Sequence, residues 1–114
     1  MEQINKVELL GIVGGVSVYT QGQTPFARVS VVTKQVYYQA ATSTDVVDST
    51  WHSVVINQNR NMPDITKIQK GDAIHLIGRL KNSKYTDKDG QERYSSDIVA
   101  QAFEILDDTP SIPL

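Results

Sequence analysis

The sequence predicts an all-β domain: one five-stranded closed barrel, with a single short helix between its third and fourth strands. Three observations lead there. Val, Ile, Thr and Tyr gather in short apolar runs bounded by turn residues. One interval, residues 57–72, breaks from strand character into helical spacing. The length of 114 residues suits one domain, and folding at that size buries roughly two-thirds of the unfolded surface.

The first run covers residues 4–13, and Gly11 inside it marks the bend or bulge that a small closed barrel needs. Residues 16–20 either continue this strand or pair across the Gln21-Gly22 turn. The second run, residues 26–38, alternates Val29 and Val31 with Arg28 and Ser30, the pattern of a half-buried strand with one polar face. Residues 39–49 are small, polar and acidic, and read as a loop. In the third run, residues 50–56, Val54 and Ile56 share parity with His52, while Trp51, Ser53 and Val55 take the other face. Beyond it, Met62, Ile65 and Ile68 recur behind an Asn-rich stretch, with Pro63 near a helix start. One short helix is expected here, ended by Lys70-Gly71-Asp72.

The fourth run, residues 73–80, places Ile74, Leu76 and Leu80 on one face. Asp89-Gly90 then sits in the middle of residues 81–94, a strong hairpin signal. The fifth run covers residues 95–106. Residues 1–106 are therefore the barrel, and residues 107–114 are a short acidic tail containing two prolines. Five strands with a helix between the third and fourth is the element order of the OB-fold, a Greek-key barrel. SH3-like barrels are also small and five-stranded, but usually lack a helix of this length in that gap.

Composition narrows the chemistry. There is no cysteine, which excludes disulfides, thiolate metal sites and a cysteine nucleophile, and which fits a reducing cytoplasm. The opening residues lack a basic segment, and Glu8 interrupts their apolar run, so no signal peptide is read there. No stretch approaches the ~18 apolar residues of a membrane span. A cytoplasmic location without membrane contact is expected. His52 and His75 each lie within an apolar strand, where a structural role outweighs that of a general base. Asp87 and Asp89 flank a turn, and Asp45 and Asp48 have no His or Cys partners, so neither pair suggests a metal. Gly14-Gly15 opens no helix and is not a nucleotide motif. No enzymatic activity, cofactor or metal is expected.

The net charge is −2, yet its distribution is uneven. Between Lys67 and Lys84 the only acid is Asp72, set against Lys67, Lys70, Arg79, Lys81 and Lys84. Such a patch either meets an anionic partner or guards a strand edge with lysines.

Four collinear segments resemble the bacterial single-stranded DNA-binding protein family. INKVELLGIVG resembles its opening strand, FARVSVVT its second and TWHSVVI its third. KGDAIHLIGRLKNSKYTDKDGQERYSSDIV resembles its fourth strand, long hairpin and fifth strand. The resemblance implies an OB barrel, a homo-oligomer (usually a tetramer, with a dimer as the alternative) and protection of exposed single strands in replication, repair and recombination. It also implies a short member, without the long Gly/Gln-rich linker that follows the barrel in most. Departures are local. Family members often carry tryptophans where this chain has Tyr37 and Tyr85. Asn57 replaces a second stacking aromatic, and Ser53 and Ser83 replace bases.

Sequence-independent binding of a single strand needs flat faces for bases and cations along the phosphate path. Trp51, the only tryptophan, is the first stacking candidate, because it lies opposite the core parity of its strand; the alternative is a core or subunit-interface residue. Tyr37 and Tyr85, at strand–loop transitions, come next, followed by Tyr38 and Tyr94. The phosphate candidates are Arg79, Lys81 and Lys84 on the fourth strand and hairpin, and Arg28 and Lys34 on the second strand. Arg93 is expected to pair with Glu92. Two further readings stay open at this point. One is an OB barrel that has exchanged DNA for a protein partner, and the other is an enzyme accessory or sugar-binding barrel. The tail, two acids followed by Ile112, Pro113 and Leu114, resembles the acidic, apolar-tipped ends by which the family engages replication and repair proteins.

Overall fold

Each apolar run becomes a strand, and alternate residues of each strand turn inward. The computed structural model describes residues 1–20, 22 and 24–106, so the expectations for the tail at 107–114 lie outside the described residues. The strands are β1 (Val7–Tyr19), β2 (Phe26–Gln39), β3 (Thr44–Asn57), β4 (Ala73–Thr86) and β5 (Glu92–Leu106). They close in the order β1-β2-β3-β5-β4, with β4 returning to β1. All pairings are antiparallel except β3 with β5, where Val54, Val55 and Ile56 face Ile98, Val99 and Ala100. This is the expected five-stranded closed barrel. Val13, Val31, Val54, Ile56, Ile74 and Leu76 are almost wholly buried at its centre.

Closure requires β1 to serve two neighbours. Val7 to Ile12 pair with β4, and Ile12 to Tyr19 pair with β2, so the strand bends at Ile12. Gly11 permits this, because a Cβ there would lie 2.4 Å from the Val32 carbonyl oxygen. The register break itself falls between Val13 and Gly15, leaving Gly14 as the bulged residue rather than Gly11. Ahead of β1, the expected strand residues 4–6 do not join the ladder. Asn5 instead uses its side-chain amide as a backbone mimic, donating to the Leu80 carbonyl at 2.8 Å and accepting from the Leu80 N–H at 2.9 Å.

The short helix expected between β3 and β4 is present as a single 3-10 turn, Ile65–Lys67, and not as a longer helix. Met62, Ile65 and Ile68 are all buried, but their spacing is three throughout, which matches the three-residue repeat of that helix. Asp64 caps the turn by accepting from Thr66 N at 2.9 Å. The Gln58 side chain binds Ile65 N and the Pro63 carbonyl, which holds the segment across the barrel end. Residues 39–49 are not the expected loop. β2 and β3 stay paired from Phe26↔Asn57 to Gln39↔Thr44, and the turn occupies residues 40–43. Backbone bonding to β2 keeps Thr44 to Ser49 extended where few side chains reach the core.

β4 and β5 form the expected long hairpin, paired from Ala73↔Leu106 to Thr86↔Glu92. Its turn rests on Asp87, whose carboxylate accepts from the N–H of Asp89 and of Gln91, each at 3.0 Å. Gly90 supplies the positive φ of 79° that the turn requires. Leu80, expected on the core face with Ile74 and Leu76, keeps that parity but is exposed, because the hairpin leaves the barrel there.

Candidate nucleic-acid interface

The outward faces of β2, β3, β5 and β4 form one continuous surface. Register gives it a row of four side chains, Arg28, Val55, Val99 and Arg79, one from each strand. With strands ~4.8 Å apart, the two arginine positions lie about 14 Å apart across the sheet, with an apolar pair between them. Phe26, Asn57, Lys81, Ser83 and one acid, Asp97, the cross-strand neighbour of Lys81, add to the walls of a shallow groove over this row, about 330 Å³ in volume.

Trp51 lies on the same outer surface, opposite Val32 in register, and is 63 % exposed. Lys34 shares its face of the β2–β3 hairpin. On the β4–β5 hairpin, alternation places Tyr85 with Arg79 and Lys81. The outward face of the sheet therefore carries Trp51, Arg28, Lys34, Arg79, Lys81 and Tyr85, and of these Arg28, Arg79 and Lys81 line one groove.

The remaining candidates are placed differently. Tyr37 pairs with Val46 on the reverse of the β2–β3 hairpin from Trp51, and is exposed there. Tyr38 returns to the face of Lys34. Lys84 and Tyr94 are cross-strand partners on the reverse of the β4–β5 hairpin, and the Lys84 Nζ meets Glu92 Oε1 at 2.9 Å. Arg93 does not pair with Glu92 as its position in the sequence suggested. Its Nε donates to Asp87 Oδ2 at 2.9 Å, because the turn brings residues 87 and 93 together. That bond, and next the Gln91 N–H, hold the Asp87 carboxyl below the usual aspartate value.

Sequence reasoning missed Tyr19. Its ring stacks on Phe26 across the β1–β2 connection, with centroids 4.8 Å apart and planes 18° apart. The stacked pair adjoins Arg28 and extends the aromatic surface toward the barrel end. The signal was an aromatic at the end of the first apolar segment, Tyr19, and another at the start of the second, Phe26.

The histidines are held structurally. His52 Nε2 bonds Thr33 Oγ1 at 2.8 Å. His75 lies on the outer face of β1, β4 and β5, between Glu8 Oε2 at 2.7 Å and Glu104 Oε1 at 3.2 Å. Hydrogen bonding to Glu8, then to Glu104, pushes the His75 pKa up, and the His75 bond lowers that of Glu8. These carboxylates make that sheet face acidic, in contrast to the groove of Arg28, Arg79 and Lys81, where the three cations outnumber the single acid, Asp97. Among the described residues no group of His, Cys, Asp and Glu is arranged to hold a metal ion, and no helix is long and apolar enough to cross a membrane.

A family model described as the single-strand binding protein family matches residues 4–106. The chain belongs to that family. Among its relatives, the single-stranded DNA-binding protein 1 of Xylella fastidiosa is 31 % identical over 93 % of this chain and 79 % of its own length. The single-stranded DNA-binding protein of Xanthomonas campestris pv. campestris is 33 % identical over 90 % of this chain, which spans only 60 % of that relative. In structure, the Plasmodium falciparum SSB in complex with ssDNA aligns with a TM-score of 0.77 at 21 % identity, over 94 % of this chain and 98 % of its own. The small single-stranded DNA-binding protein of Streptomyces coelicolor aligns at 0.65 and 22 % identity, over 92 % and 95 %. These alignments place the barrel among the OB-folds of the family.

Proposed function

We propose that this chain binds single-stranded DNA without sequence preference and covers exposed strands during replication, repair or recombination. The observation that carries the reading is the outer surface of β2, β3, β5 and β4. There an exposed Trp51 shares the outward face with Lys34 and with Arg28, Arg79 and Lys81, the last three lining one groove. A base stacks on a flat apolar face whatever its identity, and cations spaced along the groove take phosphates, so the arrangement recognises the polymer and not its sequence. The names and ssDNA content of the relatives and structural neighbours support the same reading.

The test uses the single tryptophan as its own reporter. Titration with oligo-dT at low salt should quench Trp51 emission to saturation. A flat titration favours the second reading, an OB barrel committed to a protein partner. One observation speaks for that alternative: Asn57 and Ser83 occupy groove positions that the family resemblance assigns to an aromatic and a base.

Assembly belongs to the same proposal. Val7 to Gly11 have a ladder partner on the β4 side only, and Leu10 and Ile4 are exposed. An unpaired strand edge beside exposed apolar residues suits pairing with a second copy across a two-fold axis. A homotetramer in the cytoplasm is the proposed form. Residues 107–114 are proposed to engage replication or repair proteins. A chain truncated at Leu106 that keeps every partner in a pull-down would remove that role from the tail.

A further inference from the structure

Trp51 does not stand free on its surface. From β3 its indole reaches across β2 to β1, and the Cζ3–Cη2 edge of its six-membered ring meets Gly14. A Cβ built on Gly14 would lie 2.2 Å from Cζ3 and 2.7 Å from Cη2 of that ring. Carbon atoms in contact normally stand ~3.5–4.0 Å apart, so any side chain at this position would displace the ring by more than an ångström. Gly15, the next residue, has nothing within 4 Å of its own Cβ direction.

We infer that Gly14 is a positioning residue for nucleic-acid binding, a seat that, having no side chain, leaves room for the Cζ3–Cη2 edge of the Trp51 indole and so fixes the orientation in which the ring meets the bases. The inference rests on the proposed function and names a residue, outside the binding surface itself, on which stacking depends. The β1 bulge makes the seat. Gly14 is the residue left out of the β1–β2 register, and the register break sets it where the ring lies. Its φ lies outside the left-handed region, so alanine fits the backbone and perturbs only the contact with the ring. A ring pushed off the seat samples several rotamers, and ordering it again on binding costs affinity.

The test compares Gly14→Ala with Gly15→Ala, each first checked for folding by circular dichroism and thermal melting. Gly14→Ala should shift the emission maximum of free Trp51 to longer wavelength and weaken oligo-dT binding by roughly 3- to 10-fold, the effect of freeing one side chain. Gly15→Ala should leave both unchanged. In a Trp51→Ala background, Gly14→Ala should have no further effect on affinity. A loss of equal size with and without the tryptophan overturns the seat, as does a Gly14→Ala protein with wild-type emission and affinity. A parent chain that does not bind oligo-dT overturns the functional reading instead. The emission spectra of the two alanine variants then still decide whether Gly14 seats the ring.

Discussion

Trp51 and Val54 are three residues apart on β3, yet one is 63 % exposed and the other fully buried. A large aromatic left in water on a strand whose partners are buried is not explained by core packing. If it is a base platform, Trp51→Ala should weaken oligo-dT binding by ~1–3 kcal/mol, measured by anisotropy of a labelled oligonucleotide. Unchanged affinity in a folded variant would take Trp51 out of the site. His75 makes a different kind of prediction. Its pKa is raised in the folded chain by Glu8 and then Glu104. The stability it contributes is therefore complete below its ordinary value of about 6.5 and disappears as pH rises through the higher folded value. Urea midpoints should fall between pH 6 and pH 8.5, and His75→Gln should flatten that fall. Identical pH profiles for the two proteins would show that the Glu8–His75–Glu104 contacts do not stabilise the fold.

At the scale of elements, the two long hairpins matter most, because each presents two faces of opposite content. Alternation puts Arg79, Lys81 and Tyr85 on one face of β4–β5, and Lys84 and Tyr94 on the other. Lys84 is further engaged by Glu92. The phosphate contacts expected on the binding side are then Arg28, Lys34, Arg79 and Lys81. About four contacts at ~0.7 each give a slope near −3 for log K against log salt. Arg79→Gln with Lys81→Gln should reduce that slope by about 1.4, whereas Lys84→Gln should leave it nearly unchanged. If Lys84→Gln flattens the slope as much as Lys81→Gln does, DNA crosses both faces of the hairpin. A wild-type slope near −7 would mean that half of the binding surface lies elsewhere.

For the whole molecule, closure of the barrel leaves the edge problem at β1 only partly solved. Its first half is bonded to β4 alone, and Leu10 remains half exposed beside it. Pairing of this edge with a second copy should make the protein at least dimeric, and light scattering at micromolar concentration should report a multiple of 12.7 kDa. A monomer under those conditions would defeat the proposal. The edge proposed for assembly and the surface proposed for DNA are different, since the outer face of β1, β4 and β5 beside that edge carries Glu8 and Glu104. Loss of one is not expected to abolish the other.

The sequence by itself determined the class of fold, the strand parities and the hairpin turn. Alternation at period two follows from local geometry, so Val29, Val31, Val54 and Ile56 could be assigned inward, and Trp51 outward, before any partner was known. Asp89-Gly90 likewise specifies its turn through backbone chemistry confined to a few residues. The tertiary structure decided whatever depends on who pairs with whom. Residues 44–49 look like a loop until β2 lies beside them, because hydrogen bonds to a distant strand leave no periodic apolar trace. Met62, Ile65 and Ile68 mark a buried segment, but only its place across the barrel end limits it to one 3-10 turn. The row Arg28, Val55, Val99, Arg79 and the seat of Trp51 on Gly14 are set by register across four strands and by one bulge, and register is a property of the closed barrel.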